Sequence, residues 1–99
     1  MACMRPSELL KLHRNKVLAM AHSRGARNVR VFGSAARGAD HDGSDLDLLV
    51  AWPDEHSLLD LVGLQLDLQD ALGVRVDLAT ERELHPSLKD RILAEALAL

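Results

Sequence analysis

Aromatic side chains are nearly absent from this chain: Phe32 and Trp52 are its full complement, and it has no tyrosine. A core must therefore be aliphatic, and the material is there, since hydrophobic residues make up 47% of the 99 residues. The same scarcity argues against stacking the bases of single-stranded nucleic acid, which uses exposed rings. One cysteine, Cys3, excludes an internal disulfide framework and fits a reducing cytoplasm. Its place near a terminus prone to fraying argues against a reactive thiol. The histidines (His13, His22, His41, His56 and His85) lack metal-ligand spacing and partner cysteines. No apolar run approaches the roughly 20 residues that span a bilayer, and Met1–Pro6 lacks the apolar segment of a secretory signal. The expectation is a soluble, cytoplasmic protein without membrane contact. Its length fits a single domain, residues 1–99. A chain this short is marginally stable alone, which raises the prospect of a partner.

The net charge of −3 conceals an asymmetry. Residues 1–30 carry seven basic groups against Glu8, whereas residues 31–99 carry five against fourteen acids. A basic first third can attract phosphates or an acidic partner. Without interleaved aromatics, a solvated helix face is the simpler reading.

Ser7, with Glu8 behind it, reads as the N-cap of a first helix. Leu10, Val17, Leu18 and Ala21 continue it at helical spacing, and Gly25 can close it. Val29, Val31 and Phe32 form a short strand that runs into Gly33-Ser34. Residues 34–44 are small and polar, a helical turn and then a loop, in which Asp40 and Asp42 read as turn formers. Leu46, Leu48, Leu49 and Val50 make a second strand, stopped at Trp52-Pro53. Ser57 can cap an element reaching Leu72. Leu64–Leu68 alternates like a strand, but its length and weak β-branching favour helix. That helix carries one apolar stripe, Leu61, Leu64, Leu68 and Leu72, and a second, Leu59, Val62 and Leu66. A surface helix needs one; the second suggests an interface, unless the sheet and a neighbouring helix cover both. Val74–Leu78 alternates as a third strand, and a last helix runs from about Pro86 to the C-terminus. Three short strands carrying helices predict a two-layer α/β (α+β) domain.

Asp45 and Asp47 stand two apart on the second strand, so their carboxylates share a face, while Leu46 and Leu48 point into the core. Paired carboxylates repel unless a cation compensates. Mg²⁺ prefers such oxygen ligands and shares its coordination with substrate phosphates. Gly33-Ser34 lies where a strand feeds a helical turn. Glycine there admits close approach of a ligand to the backbone, and N–H groups at a helix start attract phosphate. Ser34 adds a hydroxyl donor. Arg37 can reach a phosphate or hold the loop. Ser44 can donate to a triphosphate or cap the loop. Trp52 can stack on a base or cap the small core.

Gly33-Ser34, ten residues, then Asp45-Leu46-Asp47 resembles the signature of the DNA polymerase β-like nucleotidyltransferase superfamily. The fuller GSAARG…SDLDLLV resembles its minimal nucleotidyltransferase branch, over roughly residues 28–80. The resemblance implies that the Gly33-Ser34 turn binds triphosphate; Arg37 and Ser44, read from their places near it, are the further candidate nucleotide contacts. It also implies that Asp45 and Asp47 hold two Mg²⁺ ions, and that Asp77, in VRVDLA, supplies the third carboxylate of the catalytic set. On an edge strand, Asp77 can alternatively just face water. The implied activity is transfer of AMP from ATP to a tyrosine of a HEPN-domain ribonuclease toxin, with this chain as antitoxin in a hetero-oligomer. The alternatives are a transferase for RNA ends or small molecules, and a non-catalytic module that silences a toxin by contact. The complete aspartate set favours catalysis, and the lack of an acceptor-binding domain disfavours RNA or small molecules. Direct nucleic-acid binding stays open.

Overall fold

Proline suits a first helical turn, where its missing N–H costs nothing, and Pro6 opens α1 (Pro6–Leu12). The computed structural model describes residues 4–53 and 57–99; Cys3 and His56, considered above, lie outside the described residues. The first helix is two, because His13 (φ −109°, ψ 21°) separates α1 from α2 (Arg14–Ser23). Ser7 does not cap it. Its N–H and hydroxyl instead donate to Asp40 at 2.8 and 2.9 Å. Asp40 is therefore more than a turn former: it is a buried carboxylate that serves the start of α1 from a distant loop. Burial by itself raises its pKa, but the two Ser7 hydrogen bonds, its own backbone and the Arg5 charge leave it lowered.

The sheet runs in the order β3-β2-β1-β4, formed by β1 (Arg27–Phe32), β2 (Leu46–Ala51), β3 (Val76–Thr80) and β4 (Leu97–Ala98). β1 is antiparallel to both β2 and β4. β2 and β3 are parallel, so the chain must cross over between them. It does so through α4 (Leu58–Leu72), started by the Ser57 hydroxyl, which accepts from the Leu59 N–H at 2.9 Å, and ended by Gly73 at φ 71°. The alternating Leu64–Leu68 stretch is helical, as length suggested. Leu61, Leu64, Leu68 and Leu72 of α4 join Val17 and Ala21 of α2 over Val29, Val31, Leu46, Leu48, Val50, Val76 and Leu78 of the sheet. Each such leucine or valine contributes about 1.5–3 kcal/mol by leaving water. Trp52 packs against this cluster, the second of its two possible roles. The other stripe of α4 stays uncovered, with Leu59 81%, Val62 51% and Leu66 54% exposed.

Three strands were expected and four are present among the described residues. The last helix, α5 (Pro86–Glu95), stops short of the C-terminus, because Ala96 is extended (ψ 138°) and Leu97–Ala98 pairs with β1. Leu99 adds an N–H bond of 3.1 Å to the Val29 carbonyl. A Leu-Ala-Leu tail is too short for its periodicity to distinguish helix from strand; the open edge of β1 decides it. β3 starts at Val76 rather than Val74. The pairing of β1 with β2 shifts register between Arg27 and Arg30, around Asn28 at φ 53°.

Candidate active site

A strand that passes directly into a helix needs a residue able to turn the backbone at the junction. Between Phe32, the last residue of β1, and the short helix α3 (Gly33–Arg37), that residue is Gly33 at φ 72°. This left-handed conformation is one that side chains with a Cβ seldom adopt. A second constraint falls on the same atom. A Cβ on Gly33 would overlap Oδ2 of Asp47 and lie 3.2 Å from its Cγ. The glycine lets the backbone lie directly against the carboxylate.

Asp47 sits on β2, one of the two interior strands. In register it opposes Phe32 of β1 on one side and Asp77 of β3 on the other. Adjacent strands lie about 4.8 Å apart, so the Asp47 and Asp77 carboxylates are lateral neighbours. Leu46 and Leu48, fully buried on the opposite face, hold this orientation. Asp45 was expected on the strand, but β2 begins at Leu46, so Asp45 ends the preceding loop and is exposed. It still acts on Asp47. Partial burial raises the Asp47 pKa first, the Asp77 charge second and the Asp45 charge third, with the Arg37 guanidinium opposing them. The Asp47 carboxylate thus feels two other carboxylates and one cation.

Arg37 is bound already: its Nη1 donates to Glu95 of α5 at 3.1 and 3.3 Å. The Gly33 N–H donates to the same Glu95 Oε1 at 3.3 Å. Ser34 is the half-buried second residue of α3. Ser44 caps its own loop: its Oγ accepts from the His41 N–H at 3.0 Å, and its N–H donates to the His41 carbonyl at 3.0 Å. The exposed His41 ring turns back on the Asp42 carbonyl at 2.8 Å. Glu95 is the residue that sequence reasoning missed. One signal was available, since it places an acid at a helix C-terminus, where the dipole disfavours negative charge.

Among the described residues, no three His, Cys, Asp or Glu side chains are drawn in closely enough to form a ready-made metal cage. The donor set nonetheless suits a hard divalent ion: oxygen ligands only, on neighbouring strands, with mutual repulsion registered at Asp47.

The model of the nucleotidyltransferase domain family matches residues 12–99. The chain belongs to this family. A protein of Methanocaldococcus jannaschii assigned as a protein adenylyltransferase is 42% identical to this nucleotidyltransferase over 84 residues, covering 85% of this chain and 90% of that one. A solved structure assigned as a minimal nucleotidyltransferase superposes with TM-score 0.85 at 48% identity, covering 94% and 95% of the two chains. A chain from a mutant of the MntA–HpeT toxin–antitoxin complex superposes with TM-score 0.74 at 25% identity, covering 87% of this nucleotidyltransferase and 70% of that chain. The transferase fold expected from the Gly33-Ser34 and Asp45/Asp47 pattern is the one present. No helix among the described residues is long and apolar enough to cross a membrane.

Proposed function

We propose that this nucleotidyltransferase moves AMP from ATP to a tyrosine hydroxyl of a partner protein, a HEPN-type toxin that it neutralises as antitoxin. The observation that carries the transferase chemistry is Asp47, set in register between the Gly33 turn and Asp77, with its pKa raised by burial and by its carboxylate neighbours. Such a site is unfavourable empty and becomes favourable once positive charge and phosphate enter it. In this reading, Asp45, Asp47 and Asp77 would hold Mg²⁺, which would supply positive charge for the triphosphate and for the acceptor hydroxyl. The Gly33 N–H and Ser34 cradle the phosphates, Arg37 adds a guanidinium, and Ser44 keeps the Asp45 loop in place. The acceptor oxygen attacks the α-phosphorus, an O–P bond forms, the α–β anhydride bond breaks, and pyrophosphate leaves. Asp77, exposed at the end of the carboxylate row, takes the hydroxyl proton.

Two features support a protein acceptor. The uncovered Leu59, Val62 and Leu66 stripe is an apolar patch of the kind that marks an interaction site. The similarity to an assigned protein adenylyltransferase and to a chain of a toxin–antitoxin complex points the same way. Because the chain contains no tyrosine, it cannot serve as its own tyrosine acceptor. The reacting atoms must approach to about 3–3.5 Å, and docking of the partner has to supply that alignment. The test is ATP carrying a labelled α-phosphate, incubated with the protein and the partner that co-purifies with it. The expected result is AMP on a partner tyrosine and little label on this chain. Label on RNA or a small metabolite, with the partner unmodified, would refute the protein-acceptor reading.

A further inference from the structure

Glu95 is positioned like a ligand rather than like a helix-forming residue. It ends α5, whose last turn carries no basic residue to offset the dipole, so its charge is poorly placed for the helix itself. What favours it there is tertiary. One oxygen accepts from the Gly33 N–H, and both lie within hydrogen-bond distance of Arg37 Nη1. Those donors are the backbone amide at the phosphate turn and the guanidinium that acts on Asp47. A carboxylate on a backbone N–H and a guanidinium makes the contacts a phosphate oxygen would make.

We propose that Glu95 is an internal occupant of the triphosphate cradle, displaced when nucleotide enters, and that it thereby sets nucleotide affinity. The proposal rests on the reading of Gly33 and Arg37 as phosphate contacts given above. Two consequences follow. Without nucleotide, Glu95 holds Gly33 and Arg37 in their donor arrangement, so the cradle is preorganised. With nucleotide, the triphosphate must win these donors from a tethered anion, so binding is weaker than the donors alone allow. Only the anionic part of the ligand is affected.

The test is Glu95→Gln in the full chain. Gln keeps an oxygen for the Gly33 N–H but loses the charge that competes for Arg37. Calorimetric titration with Mg²⁺-ATP and, separately, with Mg²⁺-tripolyphosphate should show both binding about two- to fivefold more tightly, the range that exposed ion pairs contribute. In AMP transfer, KM for ATP should fall by the same factor with kcat unchanged, a split that a general loss of structure would not produce. If wild type binds both ligands and Glu95→Gln binds them equally or more weakly, Glu95 is a fixed strut and the proposal fails while the site reading stands. If neither protein binds either ligand, the cradle reading falls and the proposal with it.

Discussion

Replacing Gly33 with alanine tests the junction on which the site depends. Alanine at φ 72° carries a backbone penalty of roughly 1–2 kcal/mol. In a domain of this size each kcal/mol lowers the unfolding midpoint by about 4–8 °C. The added methyl also meets the Asp47 carboxylate, whose Cγ lies 3.2 Å from the ideal Cβ position and whose Oδ2 lies closer still. Asp47 must move, and a displacement near 1 Å at a catalytic group can cost on the order of 100-fold in rate. The two effects separate in a double-mutant cycle followed by thermal unfolding. In an Asp47→Ala background the carboxylate is gone and only Cβ, 3.4 Å from the new methyl, remains. Gly33→Ala should then cost only the backbone term, so the cycle shows coupling between the two positions. In the Asp47 background the same change should also abolish most AMP transfer. A Gly33→Ala protein with wild-type midpoint and activity would refute the close-approach argument.

Asp47→Asn should abolish transfer yet leave the metal-free fold as stable or more so, by relieving repulsion from Asp77 and Asp45. Because the folded-state pKa of Asp47 is raised, its stabilising influence is full below the unfolded-state value and is lost as pH rises through the folded-state value. Asp40, with a lowered pKa, works in the opposite sense. The readout is therefore the difference between wild type and Asp47→Asn: in EDTA, wild type should gain on the variant as pH falls into the carboxylate range, and a constant difference would count against the charge argument. Changing Leu59 and Leu66 to Glu should shift the isolated fold by no more than about 0.5 kcal/mol, as surface changes usually do, while weakening association with the co-purifying partner. A double variant that unfolds outright would show that this stripe is core.

The parts of the structure legible in the sequence were those with a local cause. Ser57 and Gly73 bracket α4 with their own side chain and backbone, and Leu46 and Leu48 alternate cleanly against Asp47. What escaped depends on contacts remote in sequence. Ser7 looks like a cap from its neighbours alone, but Asp40, 33 residues on, takes over its N–H. Leu97–Ala98 becomes a strand only because β1 offers an open edge. The candidate site divides along the same line. Gly33, Asp45 and Asp47 stand out as candidates by their spacing, and Asp77 through the family resemblance. Glu95 reaches Gly33 and Arg37 from the far end of the chain, and no local pattern connects them.

The two-residue β4 has a bearing on solubility. Its register with β1 covers Arg30 and Val31, and Leu99 adds one bond at Val29, so among the described residues the rest of that strand's outer edge has no ladder partner. An open edge is a template on which another chain can add a strand, the first step toward aggregation. Here the edge is interrupted. Asn28, at φ 53°, and the register shift between Arg27 and Arg30 break the regular repeat that an incoming strand would have to follow. The exposed Arg27 adds positive charge beside them. The irregularity at the start of β1 thus discourages the self-association that so short an edge strand would otherwise invite.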